Sequence, residues 1–272
     1  MHGCGNDFIL IDNRGLDVPV EAMAGWAKAL CRRNFSIGAD GLIFLDAAPS
    51  ELQADFIWHF YNADGTRAEM CGNASRCAAK LAVMLGLAGP GQVFGTDAGL
   101  IRASVEDGGR TVKSQLTPPK DMKMDITLNV DDTQLTVHFV NTGVPHAVCL
   151  CAELDAVDVP RLGRAIRIHP RFAPAGTNVN FISVVDRTTI RLRTYERGVE
   201  GETWACGTGA VASEVIAHAL GLTESEVQVI TSGGEQLSVM LEGDATFLAG
   251  PAELVFFGEL AEGSVPPLSE TI

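Results

Sequence analysis

The sequence predicts an α+β protein made of two halves with similar folds. Short strand-like runs recur along the whole chain, while each half carries one main helical run. Residues 71–108 and 206–243 align without a gap at a constant offset of 135, with nine of 38 positions identical. Those identities fall on structural punctuation: Cys71/Cys206 and Gly72/Gly207 before the helix, Gly86/Gly221 after it, and Gly99/Gly234 and Gly108/Gly243 in later turns. A repeat that keeps its turns and helix stops is a repeat of fold.

Each element has a local cause. Strands are expected at 8–12 (FILID), 41–45 (GLIFL), 55–61 (DFIWHFY), 134–140 (QLTVHFV), 179–185 (VNFISVV), 189–195 (TIRLRTY), 236–241 (QLSVML) and 253–258 (ELVFFG). All are short, rich in β-branched and aromatic residues, and many end at Gly, Asp or Asn. Helices are expected over 73–85 and 208–220, which lack proline and end at Gly86 and Gly221, residues suited to the left-handed position after a helix. TPPK and DMKMD mark a junction near 117–125. The expected domains are therefore 1–116 and 117–272, with the tail near 252–272 packing back on the first.

Composition narrows the function. At 272 residues, 46% hydrophobic and 20% charged, the chain can bury one large core or two ordinary ones. A net charge of −14 without basic clusters argues against a nucleic-acid partner. The longest apolar run is about eight residues, too short for a membrane span. The opening MHGCGNDF has neither a basic nor an apolar leader region, so a cytoplasmic location is expected. The seven cysteines form no C-x-x-C pair and no disulfide rhythm, so reduced thiols and no metal site are expected. GTGAVA at 207–212 fits a dinucleotide pattern but lacks the strand that should precede it.

The paired turns suggest a chemistry. A cysteine at a helix start meets unsatisfied backbone N–H groups that favour a thiolate and can also hold a carboxylate. The helix dipole contributes roughly 0.3–1 kcal/mol, up to ~2 when partly buried, which is about one pKa unit. Two such thiols on opposite sides of one carbon would share a single proton, because like charges raise each other's pKa. One then removes a proton from one face while the other delivers a proton to the opposite face, inverting the centre without a cofactor. A lone cysteine is more often an inert packing residue, the reading given to Cys77 and Cys151. Cys4, Cys31 and Cys149 are assigned no chemistry.

At these residues the sequence closely resembles the diaminopimelate epimerases, pyridoxal-independent amino-acid epimerases. The matching blocks are HGCGNDFILID (2–12), GADGLIF (38–44), YNADGTRAEMCGNASRC (61–77), NTGVPHAV (141–148), GTNVNFI (176–182) and YERGVEGETWACGTGA (195–210). The resemblance implies interconversion of LL- and meso-diaminopimelate in lysine and peptidoglycan-precursor synthesis. It also implies two pseudo-symmetric domains, each a mostly antiparallel, barrel-like sheet around a central helix, with the site in the cleft between them and a homodimer as the assembly. Cys71 and Cys206 match the catalytic thiols, and His146 and Glu196 are placed beside them. Gly72, Asn73, Gly207 and Thr208 match the residues holding the reacting carboxylate. Asn6, Asn62, Asn178, Glu196 and Arg197 match groups binding the substrate's amino and carboxylate ends. Arg197 suits the distal carboxylate because a guanidinium grips it with two parallel bonds.

The chain departs from the family pattern in three places. Val144 stands where many relatives carry a substrate-binding asparagine, and Gly41 where some carry glutamine. Relatives also usually have a few more residues before the HGxGNDF loop, so a truncated start or an incomplete edge strand is expected. The alternatives are a racemase of another amino acid on the same fold, a thiol redox protein, and a binding protein on an inactive enzyme scaffold.

Overall fold

Two helices are buried around nearly their whole circumference, and the strands follow from that. They carry the sequences GNASRCAAKLAVM and GTGAVASEVIAHA, in which the residues at most positions are small. A helix buried on all sides has no polar face, and small side chains let strands approach it closely. The computed structural model describes residues 1–130, 133–234 and 236–266. The chain divides into two units, Met1–Ser114 with the segment from Gly250, and Gln115–Ala249.

In the first unit the elements are β1 (His2–Gly3), β2 (Asn6–Asp12), α1 (Val20–Leu30), β3 (Gly41–Ala47), β4 (Phe56–Asn62), α2 (Gly72–Met84), β5 (Gly91–Thr96), β6 (Gly99–Glu106) and β7 (Thr111–Leu116). The strands neighbour one another in chain order. Pairings β2/β3 and β4/β5 are parallel, and the other four are antiparallel. Ala74, Cys77, Ala78, Ala79, Leu81 and Ala82 of α2 share one core with Phe8, Ile43, Phe56, Trp58 and Phe94 from the strands. The Phe56 and Phe94 rings stack at 4.9 Å there.

The second unit contains β8 (Lys120–Val130), β9 (Thr133–Asn141), β10 (Pro145–Leu150), α3 (Val159–Arg167), β11 (Asn178–Asp186), β12 (Thr189–Glu196), β13 (Gly201–Thr203), α4 (Gly207–Ala219), β14 (Glu226–Ile230), β15 (Gln236–Glu242) and β16 (Ala245–Pro251). Its strand order is β8-β9-β10-β11-β12-β14-β15-β16, with β13 paired to β12 off that path. The pairing pattern of the first unit recurs. Strands β10/β11 and β12/β14 are parallel, each pair joined through a helix, and the remaining pairs are antiparallel. Thus β2-α1-β3-β4-α2-β5-β6-β7 is repeated as β10-α3-β11-β12-α4-β14-β15-β16. This is the α+β architecture of two similar units that the sequence predicts.

Both central helices stop in the same way. Gly86 and Gly221 have φ of 64° and 73°. Leu87 N–H donates to Ala82 O at 2.8 Å and Gly86 N–H to Val83 O at 3.1 Å; Leu222 and Gly221 repeat these bonds to Ala217 and His218. These are two Schellman stops, each needing the left-handed residue that glycine supplies.

The structure corrects the reading in three respects. Strands β5 to β8, β10, β14 and β16 lie outside the expected runs. Helices α1 and α3 were not expected. Helix α1 buries Ala22, Met23, Trp26, Ala27 and Leu30, and α3 is capped by Asp158, which accepts from Arg161 N–H at 3.2 Å. The run expected as a strand at 253–258 is not one: Glu253 alone forms a bridge, to His2, and Val255, Phe256 and Phe257 beyond it are exposed and outside any ladder. A β-strand is defined by its partner, and here the ladder stops after one pair. Among the described residues no helix is long and apolar enough to cross a membrane, and no group of three or more His, Cys, Asp or Glu side chains is placed to hold a metal ion.

Candidate active site

Cys71 and Cys206 occupy equivalent positions, as the N-cap residues of α2 and α4. Their backbones are extended, with φ/ψ of −150°/123° and −127°/107°. The backbone is therefore extended at each thiol and enters the helix at the following glycine. Each cysteine carbonyl accepts the first helical bond at 2.9 Å, from Ser75 N–H and from Ala210 N–H. Neither side chain caps its helix. The first-turn N–H groups, those of Gly72 and Asn73 and of Gly207 and Thr208, have no intrahelical carbonyl to bond. Together with the helix dipole they form an anion-binding end beside each thiol.

Around Cys71 the geometry is set by a chain of polar groups. Arg33 grips Asp7 at 2.6 and 3.0 Å and Asp40 at 2.8 Å. Asp40 accepts from Asn6 Nδ2 at 2.5 Å. Asn6 Oδ1 faces the other way, accepting from Asn73 Nδ2 at 3.3 Å and lying 3.7 Å from Cys71 Sγ. The fully buried Arg76 donates to Gly72 O, Asn73 Oδ1 and Cys4 Sγ, fixing the helix start from behind.

The surroundings of Cys206 are different. Its Sγ lies 3.6 Å from Thr208 Oγ1, which is 3.0 Å from His146 Nε2. His146 Nδ1 is 3.0 Å from Asn180 Nδ2, which also donates to Ala147 O at 3.3 Å, while Asn180 Oδ1 accepts from Thr194. A carbonyl only accepts, so Asn180 presents N–H on this side and the imidazole accepts at Nδ1. Complete burial, with Arg197 adding to it, pushes His146 down to about 3, so the ring is neutral. Its one proton is then on Nε2 and is donated to Thr208. Thr208 thus links the His146 ring to the Cys206 sulfur.

The backbone turn fits only glycine. A Cβ on Gly209 would lie 2.4 Å from Asn180 Oδ1 and 3.2 Å from Cys206 Sγ. A Cβ on Gly41 would lie 2.7 Å from the Phe60 ring and 2.9 Å from Tyr61 O, so this packing admits no glutamine there.

Of the remaining expected residues, Asn178 is held at both ends. Its Nδ2 donates to Pro145 O at 3.3 Å, and its Oδ1 accepts from Arg197 N–H at 2.8 Å. Arg197 also donates to Ala175 O at 3.0 Å, and Glu196 ends β12 immediately before it. Asn62 ends β4, exposed, with its amide on Thr66 in the same turn. Four of the other cysteines contrast with the helix-start pair: burial pushes Cys31 up to about 11 and Cys77 up to about 12, and raises Cys149 and Cys151 as well. These are packing thiols. The sequence reading passed over Asp40, Arg33, Asn180, Thr194 and Gly209. Only Gly209 left a signal there, as the second glycine of CGTG.

A family model described as diaminopimelate epimerase matches residues 1–122 and 138–255. The chain is 47% identical over 268 residues to the diaminopimelate epimerase of Hydrogenobaculum sp. (strain Y04AAS1), covering 95% of this chain and 96% of that one. It is 44% identical over 273 residues to that of Aquifex aeolicus, covering 96% of each. Among solved structures, a probable proline racemase from Agrobacterium radiobacter K84 superposes with a TM-score of 0.65 at 19% identity, covering 88% of this chain and 81% of that one. A hydroxyproline epimerase from Agrobacterium vitis gives 0.63 at 19%, covering 86% and 83%. These two show the fold alone. On the family match and on relatives aligned over nearly their whole length, the chain belongs to the diaminopimelate epimerase family of isomerases.

Proposed function

We propose that the chain interconverts LL- and meso-diaminopimelate with Cys71 and Cys206 as paired acid and base. The observation that carries this is the duplicated helix start: two cysteines at equivalent N-caps, each leaving its first-turn N–H groups to an anion. The substrate's reacting carboxylate is held by these N–H groups, which take up charge as the α-carbon loses its proton. One thiolate accepts that proton as the C–H bond breaks. The thiol on the other face gives up its proton as the new C–H bond forms, so one proton enters and one leaves per inversion. Arg197 and the asparagines bind the distal amino-carboxylate end, with Glu196 accepting from an ammonium group.

This chemistry calls for no metal and no organic cofactor. LL-diaminopimelate in deuterated water without pyridoxal phosphate tests the proposal, by following label at the reacting carbon. Label should appear with conversion to the other epimer in the wild-type chain, and that conversion should be lost in both Cys71→Ala and Cys206→Ala. Epimerisation at an unchanged rate in either variant refutes the two-base reading. A panel of other L-amino acids under the same conditions separates the racemase alternative. The homodimeric state and cytoplasmic location belong to the same proposal and rest on the family. Sedimentation and cell fractionation read them.

A further inference from the structure

The two helix starts are related by the internal repeat, yet the groups their thiols meet have opposite hydrogen-bonding polarity. At Cys71 the neighbour is the Asn6 oxygen. Asp40 is an acceptor-only carboxylate that takes the Asn6 N–H, so the amide cannot turn and Oδ1 stays toward the sulfur. An oxygen in that place accepts from a thiol and repels a thiolate. At Cys206 the neighbour is the Thr208 hydroxyl, which accepts from His146 Nε2–H and still has its own hydrogen to donate. Unlike the Asn6 oxygen it can donate to the sulfur, and that stabilises a thiolate. The repeat places Asn73 opposite Thr208 at the offset of 135, so the difference lies in the helix starts themselves.

From these contacts we infer that the resting enzyme is asymmetric, with the proton held on Cys71 as a thiol and Cys206 present as the thiolate. The inference rests on the proposed roles of the two cysteines and adds which one is the base before substrate arrives. In the first unit the charges balance: Asp7 and Asp40 are carried by Arg33, and the second cation is the buried Arg76 behind the helix start, bonded to Gly72, Asn73 and Cys4, so the hydrogen-bond polarity at the sulfur decides. In the second unit Arg197 stands close enough to act on His146, and the imidazole itself is neutral. The helix dipoles favour a thiolate at both cysteines and so cancel in the comparison.

A cycle follows from the balance of protons. Cys206 takes the substrate's α-proton and becomes a thiol, while Cys71 gives its proton to the opposite face and becomes a thiolate. Turnover therefore leaves the pair inverted. It returns to rest by passing a proton from Cys206 to solvent and back to Cys71, or by processing the opposite epimer.

The ultraviolet absorbance of thiolates in ligand-free protein at neutral pH tests the inference without diaminopimelate, so it stands or falls separately from the substrate assignment. The absorbance should persist in Cys71→Ser and disappear in Cys206→Ser. Thr208→Val should lower the Cys206 thiolate population roughly tenfold, the loss of one hydrogen bond to a charged group, and Thr208→Ser should restore it. The reverse pattern, loss or persistence in both cysteine variants, or a Thr208→Val protein with unchanged absorbance would overturn it.

Discussion

Replacing Glu214 by Gln should stabilise the protein in a pH-dependent way. Glu214 lies within α4, fully buried, on the same helix that begins at Cys206. Thr223 Oγ1 donates to its Oε2 at 2.9 Å, and among the described residues Oε1 has no hydrogen-bond partner. Burial pushes the carboxyl from its ordinary 4.5 up to about 8, against a smaller lowering by Thr223. The folded protein thus holds this proton more tightly than the unfolded chain does. Below pH 4.5 both states are protonated and burial carries no ionic penalty. Between 4.5 and 8 the unfolded chain ionises first, so stability falls as pH rises, and the full loss is reached above 8. At ~1.36 kcal/mol per pH unit the ceiling is about 5 kcal/mol, and structural relaxation brings it to roughly 2–5 kcal/mol. At pH 5 the same arithmetic leaves less than about 1 kcal/mol. Thermal unfolding of wild type and Glu214→Gln at pH 5 and pH 8.5 reads the difference. The variant's advantage in Tm should widen by about 5–15 °C at the higher pH, taking about 2–4 °C per kcal/mol. An equal difference at both pH values, or one that narrows at pH 8.5, refutes the reasoning.

Two further outcomes are expected. The pH profile of kcat/KM should be bell-shaped, because one cysteine must be ionised and the other protonated; a profile that rises to a plateau would contradict this. Gly209→Ala should lose activity and roughly 1–3 kcal/mol of stability, since its Cβ would meet Asn180 Oδ1 at 2.4 Å and displace a side chain held by His146 and Thr194; denaturation and steady-state rates measure both.

Features decided within a few residues were legible in the sequence. The two helix starts and stops were read because Cys-Gly and Leu-Gly-Leu carry their own backbone instructions, and the constant offset of 135 exposed the duplication. Helix α3 escaped notice because VPRLGRAIR is short, contains Gly163, and reads as a charged loop. That glycine is explained only by a distant residue: a Cβ would lie 2.5 Å from Tyr195 Cβ and 2.6 Å from its ring. Asn180 escaped for a related reason. It is a buried polar residue between Val179 and Phe181 in the strand, and its value comes from His146 on β10 and Thr194 on β12, far apart in sequence. Local propensity reports the backbone, but side-chain networks depend on which strands become neighbours.

The missing helix caps carry the argument one step further. An ordinary helix start is closed by a Ser, Thr, Asp or Asn side chain accepting from its first turn, as Asp158 does for α3. Helices α2 and α4 begin at cysteines that make no such bond. Sulfur accepts weakly, so the N–H groups stay available to a carboxylate, and the thiol stands beside it on a helix fixed around its circumference. A functional start is therefore a less stable one. Cys71→Ser and Cys206→Ser exchange sulfur for an oxygen that can close the cap, at backbone angles already extended as an N-cap requires. Each variant should gain roughly 0.5–2 kcal/mol, or about 2–4 °C in Tm per kcal/mol, while epimerisation falls to background because a hydroxyl is a far weaker acid and base at neutral pH. Unfolding temperature and deuterium incorporation on the same preparations decide the matter. A serine variant that loses activity without gaining stability would show that these helix starts are not held open for the substrate.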